Sequence, residues 1–244
     1  MRTMKEQMNL AFENFNAKEF IANDPIQVVR EMAEKPDASV ADIEICAIWT
    51  SMVAWGRRDQ IIGNARQLMD MCDWKPADFV RLGEFYDLSD DINIHRTIKG
   101  SQFKAINHNL RATYNKVSSV AEYIAKNHQN INDVIKDLSE SLQPARLGSP
   151  GRNSACKRIN MLLRWMVRKD DVDLGIWATE NMKPSDLYAI MDVHVAQQAQ
   201  KMGLISYPKE SWRAVIELTN VYRSWDTNDP LKYDFVLMTQ NLRK

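Results

Sequence analysis

Apolar residues fill twelve of the sixteen positions from Val40 to Trp55, and only Asp42, Glu44, Thr50 and Ser51 interrupt them. A helix that is apolar nearly all round belongs at the centre of a helical core. Ser39 with Asp42 gives it a start resembling a capping box, and Gly56 gives it a stop. The stretch from Arg57 to Asp73 predicts a second helix, with Ile61, Ile62, Ala65, Leu68, Met69 and Cys72 on one side. Amphipathic helices are also predicted over 101–115, 119–126 and 130–142, the middle one with only an approximate cap from Ser118, Ser119 and Glu122.

The clearest break is Leu147-Gly148-Ser149-Pro150-Gly151. Ser154 follows as an N-cap for a helix over 155–168, in which Ile159, Leu162, Leu163 and Met166 recur at helical spacing. Asp192 is placed to cap a helix over 193–202, which Gly203 closes. Pro208 and Pro230 sit where first-turn prolines begin the last two helices, and Trp212, Val215, Ile216, Thr219 and Tyr222 form one stripe. No period-two alternation, internal repeat or long linker interrupts this pattern, so the predicted fold class is all-α.

Composition narrows the chemistry. The 244 residues carry 32 Lys plus Arg and 32 Asp plus Glu, a net charge of zero that excludes a globally basic nucleic-acid coat. Cys46, Cys72 and Cys156 are odd in number, widely spaced and without a C-x-x-C pair, against a disulfide scaffold or a four-cysteine cluster. His95, His108, His128 and His194 lack ligand spacing, so neither metal nor cofactor is expected. Charges and Asn interrupt the opening run to Phe15, which is unlike a signal peptide, and the apolar stretch at 40–55 is too short and broken to span a bilayer. A cytoplasmic protein is expected.

Charge neutrality hides an asymmetry. Residues 141–169 contain no acid but seven cations: Arg146, Arg152, Lys157, Arg158, Arg164, Arg168 and Lys169. Beside a Gly-x-x-Gly break and a helix start, such a run suits phosphate binding, with a solvated basic helix as the plain alternative.

Gly148-Ser149-Pro150-Gly151 is followed by Cys156-Lys157-Arg158-Ile159-Asn160-Met161-Leu162-Leu163-Arg164, and then by Met191-Asp192-Val193-His194-Val195, which leads to Gly203-Leu204. In that order, with Lys157 and Asp192 separated by 35 residues, these segments resemble the helix-hairpin-helix DNA glycosylase/lyase superfamily. The lysine segment is similar to that of bacterial and archaeal 8-oxoguanine glycosylases. Pro150 between the glycines departs from the usual Leu-Pro-Gly-x-Gly hairpin. The chain as a whole also resembles an uncharacterised bacterial family of about this length, through Gly56-Arg57-Arg58-Asp59-Gln60, Leu163-Arg164-Trp165-Met166-Val167-Arg168 and Lys232-Tyr233-Asp234-Phe235.

The resemblance implies a two-lobed helical bundle with a helix-hairpin-helix element and a cleft between the lobes. Residues 39–175 would form the central lobe, and 1–38 with 176–244 a discontinuous second one. A monomer would act on double-stranded DNA containing a damaged base, an oxidised purine such as 8-oxoguanine. Lys157 would be the nucleophile, and Asp192 would accept its proton and stabilise charge at C1′. Gly148, Gly151, Arg152, Arg158, Arg168 and His194 would contact DNA. Arg57, Arg58 and Gln60 would face the lesion, and Asp234 and Phe235 would line the base pocket.

An amine nucleophile must shed its proton and its hydration. A helix N-terminus contributes only ~0.3–2 kcal/mol to that, so desolvation has to dominate. Each residue also has a plain alternative: a first-turn surface cation for Lys157, an ordinary cap for Asp192. At the level of function the rivals are a non-catalytic helical DNA- or protein-binding module that keeps the fold, and an enzyme on another small nucleic-acid substrate, RNA included.

Overall fold

The structure, a computed structural model, describes residues 2–239. It opens with α1 (Met4–Glu13), α2 (Ala17–Ala22) and α3 (Ile26–Ala33), followed by α4 (Val40–Val53), α5 (Arg58–Met71) and α6 (Pro76–Leu82). A short antiparallel pair, β1 (Asn93–His95) and β2 (Ile98–Lys99), leads into α7 (Gly100–Tyr114), α8 (Val120–Asn127) and α9 (Ile131–Ser141). After the 142–156 turn come α10 (Lys157–Val167), α11 (Val193–Lys201), α12 (Trp212–Trp225) and α13 (Lys232–Thr239). The all-α expectation holds; the small hairpin is the strand content among the described residues.

The near-uniform apolarity of α4 has the predicted consequence: α3, α5, α6 and α10 pack around it, and Ile45 to Val53 are all buried. Its two acids are also inside, and each is hydrogen-bonded. Asp42 closes the capping box with Ser39 and accepts the Ala77 N–H at 2.9 Å. Glu44, 0% exposed, accepts from the Tyr114 hydroxyl (2.8 Å), the Val120 and Ala121 N–H groups (2.8 and 3.0 Å) and the Trp177 indole (2.8 Å). A glutamate that reads as a flaw in an apolar run thus ties α4, α7, the start of α8 and the 170s loop together.

Two apolar clusters share the interior. The larger surrounds α4 and includes the buried faces of α3, α5–α10. The smaller gathers Met8, Met191, Val195, Val215, Tyr222 and Tyr233, so α1, α11, α12 and α13 converge there. The helix α1 packs on α13, where the Tyr233 hydroxyl donates to Asn9 (2.8 Å). The helix α3 packs on α4 in the larger cluster.

Local chemistry corrects three expected helix starts. Ser154 does not cap α10; Cys156 does, in a left-handed conformation (φ 49°), while Ser154 Oγ accepts the Cys156 N–H. Pro208 lies before α12, whose cap is Ser211, accepting the Ala214 N–H. Ser119 is a full cap for α8, and the Glu122 carboxylate reaches back to Ser118 instead. The short helices α2 and α6 form where their apolar sides meet the larger cluster, through Phe20, Ala77, Phe79 and Val80. No helix among the described residues is long and apolar enough to cross a membrane.

Candidate functional site

Lys157 occupies the first turn of α10, and Asp192 is the N-cap of α11. The chain between them folds back so that Lys157 Nζ lies 2.9 Å from Asp192 Oδ2. Asn160 holds the two approaches together: its amide donates to the Ala155 carbonyl ahead of α10 (3.1 Å) and to the Ala189 carbonyl ahead of α11 (3.4 Å). The segment 187–191, buried except at Tyr188, is fixed further by Thr219, which accepts the Ala189 N–H, and by Asp234, which accepts the Ile190 N–H at 2.9 Å.

Asp192 uses its oxygens for different tasks. Oδ1 accepts the Val195 N–H (2.9 Å), an ordinary cap, and Oδ2 faces the amine. Burial raises its pKa, but the Lys157 charge, the Val195 N–H and His194 outweigh that, and the carboxyl stays below the usual range. It is ionised at neutral pH and able to take a proton. The Lys157 side chain keeps 34% of its exposure, so the amine is only partly removed from water.

Both groups line one pocket of about 290 Å³, near the lower end of ordinary ligand clefts (~300–1,000 Å³). Its apolar wall includes Phe20, Ile61, Met161 and Ile190, and its polar groups besides the pair are Asp24, Asn23, Arg58 and His194. Arg58 and His194 are exposed. Arg57 is paired in solvent with Asp59 (2.7 Å), and neither it nor Gln60 lines the pocket. Asp24, Asn23 and Phe20 were not legible in the sequence: they belong to an N-terminal segment without a motif, carried here when α3 docks on α4.

Four expected site residues turn inward. Arg168, 3% exposed, bonds Asp229 through two 2.8 Å contacts and Asp173 at 3.1 Å, and also pairs with Asp170, so it cannot reach a phosphate. The Arg158 guanidinium is committed to the carbonyls of Met52, Ala145 and Arg146, and burial lowers its pKa to about 10. Phe235 is buried in an aromatic cluster with Phe12, Phe15 and Phe20, and Arg164 stacks on it at 4.5 Å. Asp234 is buried behind the site rather than in it. The basic run is therefore split: Arg146, Arg152 and Lys169 are exposed, whereas Arg164 and Arg168 are neutralised by Asp173 just after it and by Asp229 near the end of the chain.

The 148–151 break forms a tight turn with a 3-10 segment over 150–152. Gly148 is at φ +88°, and a Cβ there would lie 2.1 Å from Ser154 Oγ, so glycine is required. At Gly151 the nearest atom is 3.7 Å away and no such need exists. Gly148, Ser149, Arg146 and Arg152 line an open groove beside the turn. The Cys156 thiol stays protonated, since burial pushes its pKa up to about 11. Among the described residues no group of three or more His, Cys, Asp or Glu could hold a metal ion.

Asp234 supports a stability prediction. Burial pushes its carboxyl up to about 7, against the Ile190 N–H and the Arg164 charge. The native chain therefore binds this proton more tightly than the unfolded chain does. Its stabilising contribution is full below about pH 4 and is lost as the pH rises to about 7, on the order of 4 kcal/mol in all. Asp234→Asn keeps an acceptor for Ile190 and cannot ionise. Denaturant midpoints should show the variant gaining on wild type between pH 5 and pH 8, and parallel profiles would refute the assignment.

No curated protein and no solved structure matches the chain. The family described as "Protein of unknown function (DUF2400)" matches residues 24–243, a span holding the lysine, the aspartate and every residue of the pocket from Asp24 onward. On that match the chain belongs to the DUF2400 family.

Proposed function

We propose that the chain is a base-excision repair DNA glycosylase with a lyase step through Lys157, acting on an oxidised purine such as 8-oxoguanine in double-stranded DNA. The observation that carries this reading is an amine and an ionised carboxylate 2.9 Å apart in a shared pocket. In this reading α9, the 142–156 turn and α10 are the helix-hairpin-helix element, and the pocket is the mouth of a cleft between two lobes. The protein would work as a cytoplasmic monomer.

A base stacked in a duplex hides its C1′–N bond, so the nucleotide must be extruded into the pocket. The entering nucleotide displaces water from the exposed third of Lys157. Asp192 takes a proton from the amine, whose lone pair forms a bond to C1′ while the C1′–N bond breaks. The C1′–O4′ bond of this aminal then breaks, its electron pair and a proton from the amine nitrogen going to O4′, and the Schiff base so formed permits β-elimination of the strand. The test is borohydride trapping on duplexes containing single oxidised purines, with 8-oxoguanine first. A covalent adduct with released base supports the reading. Binding with neither adduct nor release replaces it with the non-catalytic module.

The DNA face has its own test. Arg152 is exposed on the turn and bordered by the groove. Arg152→Ala should reduce the slope of log affinity against log salt by about 1 and leave folding unchanged. An unaltered slope would remove the turn from the DNA face.

A further inference from the structure

We propose that Asp24 is a further catalytic acid of this pocket, the group that hands a proton to the departing base; the proposal rests on the glycosylase reading. Asp24 lies between α2 and α3, on the pocket wall contributed by the N-terminal segment, and Lys157 and Asp192 line the same pocket. Its Oδ1 accepts the Ile26 N–H at 3.0 Å, which fixes the side chain at the entry to α3. Among the described residues none donates a hydrogen bond to Oδ2, which is left to meet a ligand.

The groups around it set its state. Burial raises the Asp24 pKa, while Arg164 and Lys157 from α10, Arg58 from α5 and the Ile26 N–H pull against it, and the net displacement is upward. Asp192 and His194, at the start of α11, line the same pocket. Asp192 goes the other way, below the usual carboxylate range. One pocket thus holds a carboxyl biased toward its acid form and another held as a base. Environments that drive two carboxyls apart are how a site separates a proton donor from a proton acceptor.

The step balances on these groups. Asp192 accepts a proton from the Lys157 ammonium, and the freed lone pair forms the N–C1′ bond. The C1′–N bond to the base breaks, and its electron pair moves onto the base. The Asp24 proton follows that pair, so the base leaves neutral. Asp24 ends as a carboxylate, Asp192 as an acid, and the new secondary amine carries the positive charge.

Asp24→Asn in the full chain separates this role from pocket shape, because Asn still accepts the Ile26 N–H but has no acidic proton. Two reactions are compared in single turnover: base release from an 8-oxoguanine duplex, and borohydride trapping on a duplex with a preformed abasic site. The abasic duplex has no base to protonate. Expected are base release slowed by about 100-fold or more, abasic trapping close to wild type, and loss of the alkaline limb that wild-type base release shows as Asp24 ionises. Release at the wild-type rate with that limb intact overturns the proposal. An equal fall in both reactions also overturns it, since Asp24 would then only shape the pocket. Wild type that traps on the abasic duplex but shows no alkaline limb in base release sinks Asp24 alone. Wild type that does neither reaction sinks the glycosylase reading with it.

Discussion

Lys157→Ala should yield no borohydride-trapped adduct on either lesion-containing or abasic duplex, and base release should fall by at least ~10³-fold. The lone pair that attacks C1′ belongs to this side chain, and no nearby group can replace it: burial holds the Cys156 thiol in its protonated form, and the Arg58 guanidinium is not a nucleophile at neutral pH. Lys157→Arg keeps the positive charge beside Asp192 and should be equally inactive, which separates nucleophilicity from charge. Asp192→Asn retains the cap on Val195 but cannot take the proton, so a loss of ~10²–10⁴-fold is expected. Folding should be nearly unaffected in all three. The Lys157–Asp192 pair is about a third exposed on each side, and such pairs contribute ~0–1 kcal/mol. Gel detection of the adduct and denaturant midpoints on the same preparations decide it. A trapped species that persists in Lys157→Ala would remove this amine from the chemistry.

Glu44→Gln should lower the unfolding free energy by roughly 2–6 kcal/mol, the cost of leaving two buried donors unsatisfied, and Glu44→Ala should leave little folded protein. The carboxylate accepts two donors on each oxygen: Tyr114 and Val120 on Oε2, Ala121 and Trp177 on Oε1. Glutamine offers a carbonyl to one pair but turns an NH2 toward the other, setting donor against donor. Alanine strands all four, and each buried unsatisfied donor costs ~1–3 kcal/mol. The sum approaches the ~5–15 kcal/mol by which whole domains are stable. Denaturant titration of Glu44→Gln and the yield of folded Glu44→Ala read these effects. A wild-type midpoint for Glu44→Gln would mean that the carboxylate is not the hub described.

Arg164 and Arg168 show where reading along the chain stops. Lys157, Met161, Arg164 and Arg168 lie at spacings of four, three and four, one stripe that runs along α10 to its C-cap. The period identifies that stripe but not what it meets. At one end it opens on the pocket; further along, Arg164 meets Phe235 and Asp173, and Arg168 meets Asp229 from the far end of the chain. Cations that suggested a phosphate face are thereby spent on internal acids.

The sequence alone determined the helical class, the central position of α4, and the order of lysine and aspartate, because helical period and capping are encoded within a few residues of one another. It also determined that Asp192 begins a helix, since a cap needs only its own first turn. Tertiary structure decided which charges are buried, that Asp24 and Phe20 join the pocket, and that Lys157 and Asp192 touch. Those outcomes depend on pairs of residues up to about two hundred positions apart. Their meeting is fixed by the packing of apolar faces around α4 and α13, which no local pattern specifies.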